Sequence, residues 1–296
     1  MISDSKRVQK IAILMASFNG ESHIERQVET IVSQKSVDLH LFVSDDNSTD
    51  STIEILEELS SKYKNITVLD GTQKFGSAGA NFLNLVKHVD VSKFDYVAFS
   101  DQDDIWVDDK IISAVNQLVK GNASGFSSDV IAFWPERNIK RLLRKSYNQT
   151  TSDFWFESPG PGCSQVFTKD SFEKFKIFAI DNSDDLKRVE YHDWLIYAFY
   201  RYNNLGWIIS KEPKILYRQH GGNQIGANFG VKAFWKRIRS IKSGWYRAQI
   251  QEIAYLISNG RVNPTSRKYL NMNALALRRR LPHSIMVYLC FVFRIL

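Results

Sequence analysis

Cysteine is scarce in this chain of 296 residues: only Cys163 and Cys290 occur, far apart and in no spaced motif. That excludes a disulfide scaffold and a cysteine-ligated zinc site, and it fits a reducing compartment. No G-x-G-x-x-G follows the first apolar run and no G-x-x-x-x-G-K-[ST] occurs anywhere, which disfavours the dinucleotide and P-loop modes of phosphate binding. Phosphate would have to be held by a metal ion instead. No internal repeat or low-complexity linker is present, and no apolar run reaches the roughly 20 residues that span hydrocarbon. The nearest, from Leu281 to Leu296, is interrupted by His283 and Arg294 and reads as lying on a membrane rather than crossing it. Lys6, Arg7 and Lys10 before Ile11–Ala16 imitate the start of a signal peptide. The run is too short, however, and Ser17-Phe18-Asn19-Gly20 closes it without a small-x-small cleavage pattern, so a cytoplasmic first strand is expected.

What is present is ordinary in amount and uneven in placement. Hydrophobic residues at 44% and charged residues at 24% mark a globular chain. Net charge is +7, but from residue 231 onward thirteen Lys and Arg face Glu252 alone, giving that segment +12 and the first 230 residues −5. A mildly acidic body joined to a cationic segment implies contact with an anionic surface. Phe234, Ile238, Ile241 and Trp245 recur at helical spacing among Lys236, Arg237, Arg239 and Lys242, the pattern of a basic amphipathic helix. Residues 231–296 are therefore expected to be a helical extension on the inner membrane surface, or one that pairs two subunits into a homodimer. Nucleic acid is disfavoured as a partner, because the basic excess is confined to a segment with an apolar end.

Apolar runs and helical patterns alternate through the first half. Strands are expected at 11–18, 39–44, 66–69 and 96–100, with helices at 23–34, 51–63, 80–89 and 108–119. This alternation predicts an α/β fold, a doubly wound, Rossmann-like, mostly parallel sheet with helices on both faces. Later, 130–134 reads as a strand, 158–162 as a rigid loop, 192–202 as an aromatic-rich helix and 207–217 as an extended stretch leading into the glycines of Gln219-His220-Gly221-Gly222.

Two of these strands run into acids, Ser44-Asp45-Asp46-Asn47-Ser48-Thr49-Asp50 and Ser100-Asp101-Gln102-Asp103-Asp104. Open parallel sheets bind ligands beyond the carboxyl ends of their strands, so both clusters should face one crevice. Carboxylates gathered there raise one another's pKa unless a cation or hydrogen-bond donors compensate them. An Asp-x-Asp at a strand end suits Mg2+ or Mn2+, which take oxygen ligands and bridge to substrate phosphates. Asp50 reads as a cap for the following helix.

Three ordered motifs, Met15-Ala16-Ser17-Phe18-Asn19-Gly20-Glu21, Val43-Ser44-Asp45-Asp46-Asn47-Ser48-Thr49-Asp50 and Phe99-Ser100-Asp101-Gln102-Asp103-Asp104-Ile105-Trp106, resemble the family 2 glycosyltransferases of GT-A fold. The last of them is similar to the bacterial rhamnosyltransferase-like subgroup that builds cell-surface polysaccharides. The resemblance covers about residues 10–225 and implies a GT-A domain over 1–230, with a nucleotide-binding half (about 1–120) and an acceptor-binding half (about 121–230). It implies that Ser17, Phe18, Asn19, Glu21, Asp45, Asp46, Asp101 and Arg218 bind the nucleotide sugar. Asp101, Asp103 and His220 would hold Mn2+ or Mg2+, Asp103 as the more direct ligand. Asp193 matches the catalytic base, with His192 where a Glu is often found before it. Gly160, Gly162, Cys163, His192 and Trp194 would shape the sugar and acceptor cleft; Trp106, Trp155 and Trp194 read equally as sugar-stacking rings or as core.

The activity so implied is inverting transfer from a dTDP- or UDP-sugar, dTDP-L-rhamnose foremost, to a lipid-linked glycan. An acceptor hydroxyl attacks the anomeric carbon, a carboxylate takes its proton, and the divalent ion stabilises the departing diphosphate. Sugar-1-phosphate nucleotidyltransferases use a similar sheet but begin with a glycine-rich loop carrying Arg, which Ser17–Glu21 lacks. A non-enzymatic glycan-binding scaffold is opposed by the intact acids.

Overall fold

The computed structural model describes residues 7–70, 74–219 and 243–293. The first apolar run forms β1 (Gln9–Ser17), whose last seven residues are all buried. Burial on both faces explains why the run is continuous instead of alternating. β1 pairs in parallel with β2 (Val37–Asp45) on one side and β4 (Tyr96–Ser100) on the other, and β2 pairs with β3 (Ile66–Val68). Helices α1 (Ile24–Val32), α2 (Thr52–Lys62) and α3 (Ala78–His88) make the crossovers. The chain thus winds outward from β1 to β3 and then returns to the far side of β1, which puts the topological switch point between β1 and β4.

The sheet extends through β9 (Val166–Thr168), β6 (Gly125–Ser128) and β10 (Trp207–Ser210) to seven strands in the order β10-β6-β9-β4-β1-β2-β3. β9 is antiparallel to both neighbours, so the sheet is mixed in its second half. A second sheet of four strands joins β5 (Ile105–Trp106), β11 (Ile215–Arg218), β7 (Val130–Trp134) and β8 (Ile139–Leu143). Its pairing of β5 with β11 brings Arg218 beside the acids that end β4. Helices α4 (Lys110–Lys120), α5 (Lys169–Asp181) and α6 (His192–Tyr202) complete the body.

Successive residues of β1 serve opposite cores. Ile11, Ile13 and Met15 pack with α1, α2 and α4; Ala12, Leu14 and Ala16 pack with α3, α5 and α6. The second core also takes in Ile250, Ile253, Leu270, Leu277, Val287 and Phe291 from α7 (Trp245–Ser258), α8 (Arg267–Asn273), α9 (Leu281–Val292) and the α8–α9 connection. The described part of the C-terminal extension therefore shares the body's core. Two of its arginines are drawn inward as well: Arg279 reaches Asp153 at 3.0 Å with both side chains essentially buried, and Arg278 reaches Glu157 at 3.1 Å. Of the amphipathic stripe, Phe234, Ile238 and Ile241 lie outside the described residues, while Trp245 donates to Glu190 (2.6 Å) and packs edge-on to Tyr191. Among the described residues no helix is long and apolar enough to cross a membrane.

Candidate active site

The crevice beyond β1, β2 and β4 is built by three loops. The loop after β1 is tied to the loop after β2 by mutual hydrogen bonds: Thr49 N–H donates to Asn19 Oδ1 (2.8 Å), Asn19 N–H to Ser48 Oγ (2.8 Å), Ser51 N–H to Glu21 Oε2 (3.0 Å) and Glu21 N–H to Asp50 Oδ2 (3.2 Å). Asn19 sits at φ 47°, where its short polar side chain is tolerated. Asp45 accepts from Ser17 Oγ, Ser48 N–H and Ser48 Oγ, each at 2.7 Å, and Asp46 accepts the N–H groups of Phe75 and Gly76. Asp50 takes the N–H of Thr52 (3.1 Å) at the start of α2, capping it from one residue before the Ser51 N-cap position. The Phe18 ring turns outward, 46% exposed, and its backbone N–H and C=O are both bound by the Gln102 amide (2.9 and 2.8 Å). Gly20 permits that clamp, because a Cβ there would lie 2.4 Å from Gln102 Oε1.

The acids after β4 are arranged differently. Ligand atoms of Asp101, Asp104 and Cys163 lie within 4.8 Å of one another. Asp104 is buried, accepts Arg218 N–H on Oδ1 (3.2 Å) and, among the described residues, leaves its buried Oδ2 without a hydrogen-bond partner. Burial, then the charge of Asp103, pushes the Asp101 carboxyl up to about 7, and burial with the charges of Asp103 and Asp101 raises Asp104 well above the usual range. Arg218 fixes the intervening turn by donating from Nε to the Asp103 carbonyl at 2.8 Å. Crowded carboxylates with an unsatisfied buried oxygen fit a hard divalent cation that prefers oxygen. Cys163 does not alter that fit, since burial and the Asp104 and Asp101 charges raise its thiol well above its ordinary range and keep it protonated.

Asp193 approaches the same crevice from the first turn of α6. Its Oδ1 accepts Trp194 N–H at 2.8 Å, and the side chain is half-buried. Burial pushes its carboxyl up to about 6 against the opposing charge of Lys145 and a hydrogen bond from Ser158. A carboxyl poised there is a base near neutral pH. His192 stacks on Phe82 (4.3 Å between centroids) with Gly162 against its edge, where a Cβ would lie 2.5 Å from Nε2. Burial lowers its pKa to about 3, so the ring is neutral, and its buried Nε2 has no hydrogen-bond partner among the described residues.

Residues 12–183 match the model of glycosyl transferase family 2. The chain belongs to that family. This glycosyltransferase is 42% identical over 289 residues, 95% of its own length and all of the relative's, to the dTDP-rhamnosyl transferase RfbG of Shigella flexneri. Its fold is similar to that of Staphylococcus aureus TarS 1-349 in complex with UDP-GlcNAc (TM-score 0.55, 15% identity, 97% of this chain and 82% of that one). It is likewise similar to the Pyrobaculum calidifontis mannosyltransferase PcManGT in complex with GDP-Man and Mn2+ (TM-score 0.56, 17% identity, 98% and 75%). These likenesses establish the GT-A architecture.

In the transferase, Ser17, Phe18, Asn19, Glu21, Asp45, Asp46, Asp101, Asp103, Cys163, His192, Asp193 and Arg218 all gather around the crevice, whereas His220 lies outside the described residues. Trp194 corrects an expectation. It is 4% exposed, its Nε1 donates to the Phe154 carbonyl (2.8 Å) and its ring stacks on Tyr246, so no face is left for a sugar; Trp106 and Trp155 are buried too. Gly160, at φ 150°, and Gly162 shape the loop behind Asp193. Three residues escaped the sequence reading. Gln102 was passed over between two acids, although a long amide at that place is a natural clamp for an adjacent loop. Lys110, 4% exposed with its Nζ 3.5 Å from the Trp106 ring centroid, has its pKa lowered to about 7 by burial, and its Nζ has no hydrogen-bond partner among the described residues. Lys145, lowered to about 8 by burial and then by Arg279, runs beside the Gly160 loop. For both lysines only the folded chain brings the partners together.

Proposed function

We propose that the chain is a metal-dependent, inverting glycosyltransferase that moves L-rhamnose from dTDP-L-rhamnose to a hydroxyl of a lipid-linked, cell-surface glycan at the inner face of the membrane. The observation that carries the reading is the pairing of Asp193, a half-buried carboxyl raised to about 6, with the crowded acids Asp101–Asp104 across one crevice at the switch point. The clamped loop Ser17–Glu21 and the loop of Asp45 and Asp46 border the donor's nucleoside, with exposed Phe18 offered to the base. Asp101 and Asp103 hold the Mn2+ or Mg2+, and Arg218 keeps their turn in register. When bound, the ion supplies positive charge to the departing diphosphate. Asp193 takes the proton of the acceptor hydroxyl as that oxygen reaches the anomeric carbon from the opposite face, so no covalent nucleophile on the protein is needed. The donor assignment draws support from the Shigella relative, a dTDP-rhamnosyl transferase.

Diphosphate release from a panel of dTDP-, UDP- and GDP-sugars, with Mn2+ or Mg2+ and with EDTA, tests the reading in the presence of a membrane lipid extract. The expected result is turnover of dTDP-L-rhamnose that EDTA and Asp103→Asn both abolish. Preference for another donor overturns the rhamnose assignment, and full activity in EDTA overturns the metal.

A further inference from the structure

Exposed large apolar side chains are unevenly spread over the molecule. Of seventeen among the described residues, eight fall between Met272 and Phe293. α9 explains the concentration. Ser284, Val287 and Phe291 turn one face into the core, while Leu281, Ile285, Leu289 and Val292 line the opposite face at exposures of 40–53%, with Phe293 beyond the end at 68%. The helix is therefore apolar on both sides, and among the described residues only one side is covered by protein. Its neighbour α8 adds Met272, 74% exposed, and the link between them adds Leu275, 67% exposed. A hydrogen bond from Tyr288 to Asn271 (3.0 Å) holds the two helices side by side.

The charges carried by α8, α9 and the link between them are of one sign. Arg267 and Lys268 are exposed at the start of α8, Arg280 is exposed at the start of α9, and no Asp or Glu occurs after Glu252, which is itself paired with Arg188 (3.1 Å). A second copy seated here by a two-fold axis would bring both sets of cations together, at a cost. An anionic bilayer accepts the apolar side chains among its acyl chains and the cations among its headgroups. With twelve residues α9 is about 18 Å long, too short to cross about 30 Å of hydrocarbon, and it fits lying in the interface.

We infer that the outer face of α9, with Met272 and Leu275, is a membrane-docking surface for anionic lipid. The inference rests on the proposed lipid-linked acceptor for its purpose. Arg278 and Arg279, in the turn before α9, hold Glu157 and the Ser158 carbonyl (3.1 and 2.6 Å), and the next residues of that loop pass behind Asp193. Docking through α9 thereby sets the orientation of the acceptor side of the cleft to the membrane.

The test is co-sedimentation of the full chain with vesicles of phosphatidylcholine alone and of phosphatidylcholine mixed with phosphatidylglycerol. Binding to the anionic vesicles, weakened by salt, is expected; Ile285→Ser with Leu289→Ser should reduce it by about tenfold or more. Arg267→Glu with Lys268→Glu should weaken binding to the anionic vesicles while leaving the melting temperature unchanged. Failure of the wild-type chain to bind either vesicle overturns the inference, as does wild-type binding by the serine variant. A wild-type dimer that the serine variant converts to monomer, without vesicle binding, assigns the face to a second copy instead. Diphosphate release from the donor panel, measured on the same variants with metal and a detergent-solubilised membrane lipid extract as the source of acceptor, reports on the transfer reading separately. Vesicle binding with no turnover of any donor sinks that reading and leaves the surface standing.

Discussion

Two strand ends in this molecule carry nearly the same composition and opposite electrostatics. Beyond β2, the acids are answered: Asp45 accepts three hydrogen bonds, Asp46 takes two backbone N–H groups, and Asp50 serves Glu21 and Thr52. Beyond β4, Asp101 and Asp104 crowd together within the charge of Asp103, with a buried oxygen of Asp104 unmatched among the described residues and two carboxyls driven far upward by burial and mutual charge. Satisfied acids hold loops in place, and unsatisfied ones keep free energy available to a cation or a proton. The difference lies in the donors supplied by distant segments, so the two clusters look alike in a one-dimensional reading.

The sharpest way to break that contrast is at Asp193, which approaches the crowded acids from α6. Asp193→Asn should lower kcat by about 10²–10⁴-fold, the usual worth of a positioned general base, in a steady-state assay of diphosphate release. In the wild type, activity should fall as pH drops below about 6, where the carboxyl gains its proton; the residual rate of the Asn variant should lack that limb. Stability should move the other way. Because the folded pKa lies above the unfolded one, the folded chain keeps a proton that the unfolded chain gives up, and stability is lost as pH rises from about 4 to about 6. The Asn side chain carries no such loss, so above pH 6 the variant should melt higher, on the order of 2–4 °C for each kcal/mol recovered.

Much of this was legible in the sequence for a physical reason. Strands buried on both faces are unbroken apolar runs, so β1, β2 and β4 announce themselves, and ligand sites in such sheets lie where those runs end. Elements that escaped notice lack that signature: β5 has two residues and β9 three, and β8 is the exposed, basic Ile139-Lys140-Arg141-Leu142-Leu143. Of the site, the acids could be read but their state could not. Ser17 meets Asp45 across 28 residues and Gln102 meets Phe18 across 84, and only the parallel crossovers make those pairs. Trp194 shows the same limit, since an aromatic beside a cleft carboxylate reads alike whether its ring faces the cleft or, as here, the core.

A paired substitution sharpens the comparison at intermediate size. Asp45→Ala removes the acceptor of three hydrogen bonds and leaves Ser17 and Ser48 unanswered in a buried place, for a loss of about 1–3 kcal/mol in denaturant unfolding. Asp101→Asn takes one charge out of a crowded set and should leave the unfolding midpoint unchanged or raise it, while abolishing turnover. If both variants lose stability alike, the two clusters do not differ as their hydrogen bonds indicate.

The smallest effect tests whether the clamp between the clusters matters. Gly20→Ala puts a Cβ 2.4 Å from Gln102 Oε1, the far end of a flexible side chain, so the amide is expected to swing away and the backbone to stay. Phe18 then loses both its N–H and its C=O partner, contacts worth about 0.5–1.5 kcal/mol each at most and less at a surface site. The consequence should be a few-fold rise in donor KM with kcat nearly unchanged, since only the loop proposed to border the nucleoside is loosened. Gln102→Ala should reproduce the effect, and Gly20→Ala added to it should do almost nothing more, because two changes that act through one contact are not additive. Full additivity in that cycle would mean that Gly20 works through the backbone of its own loop, and that the acid-bearing turn and the nucleoside loop are independent.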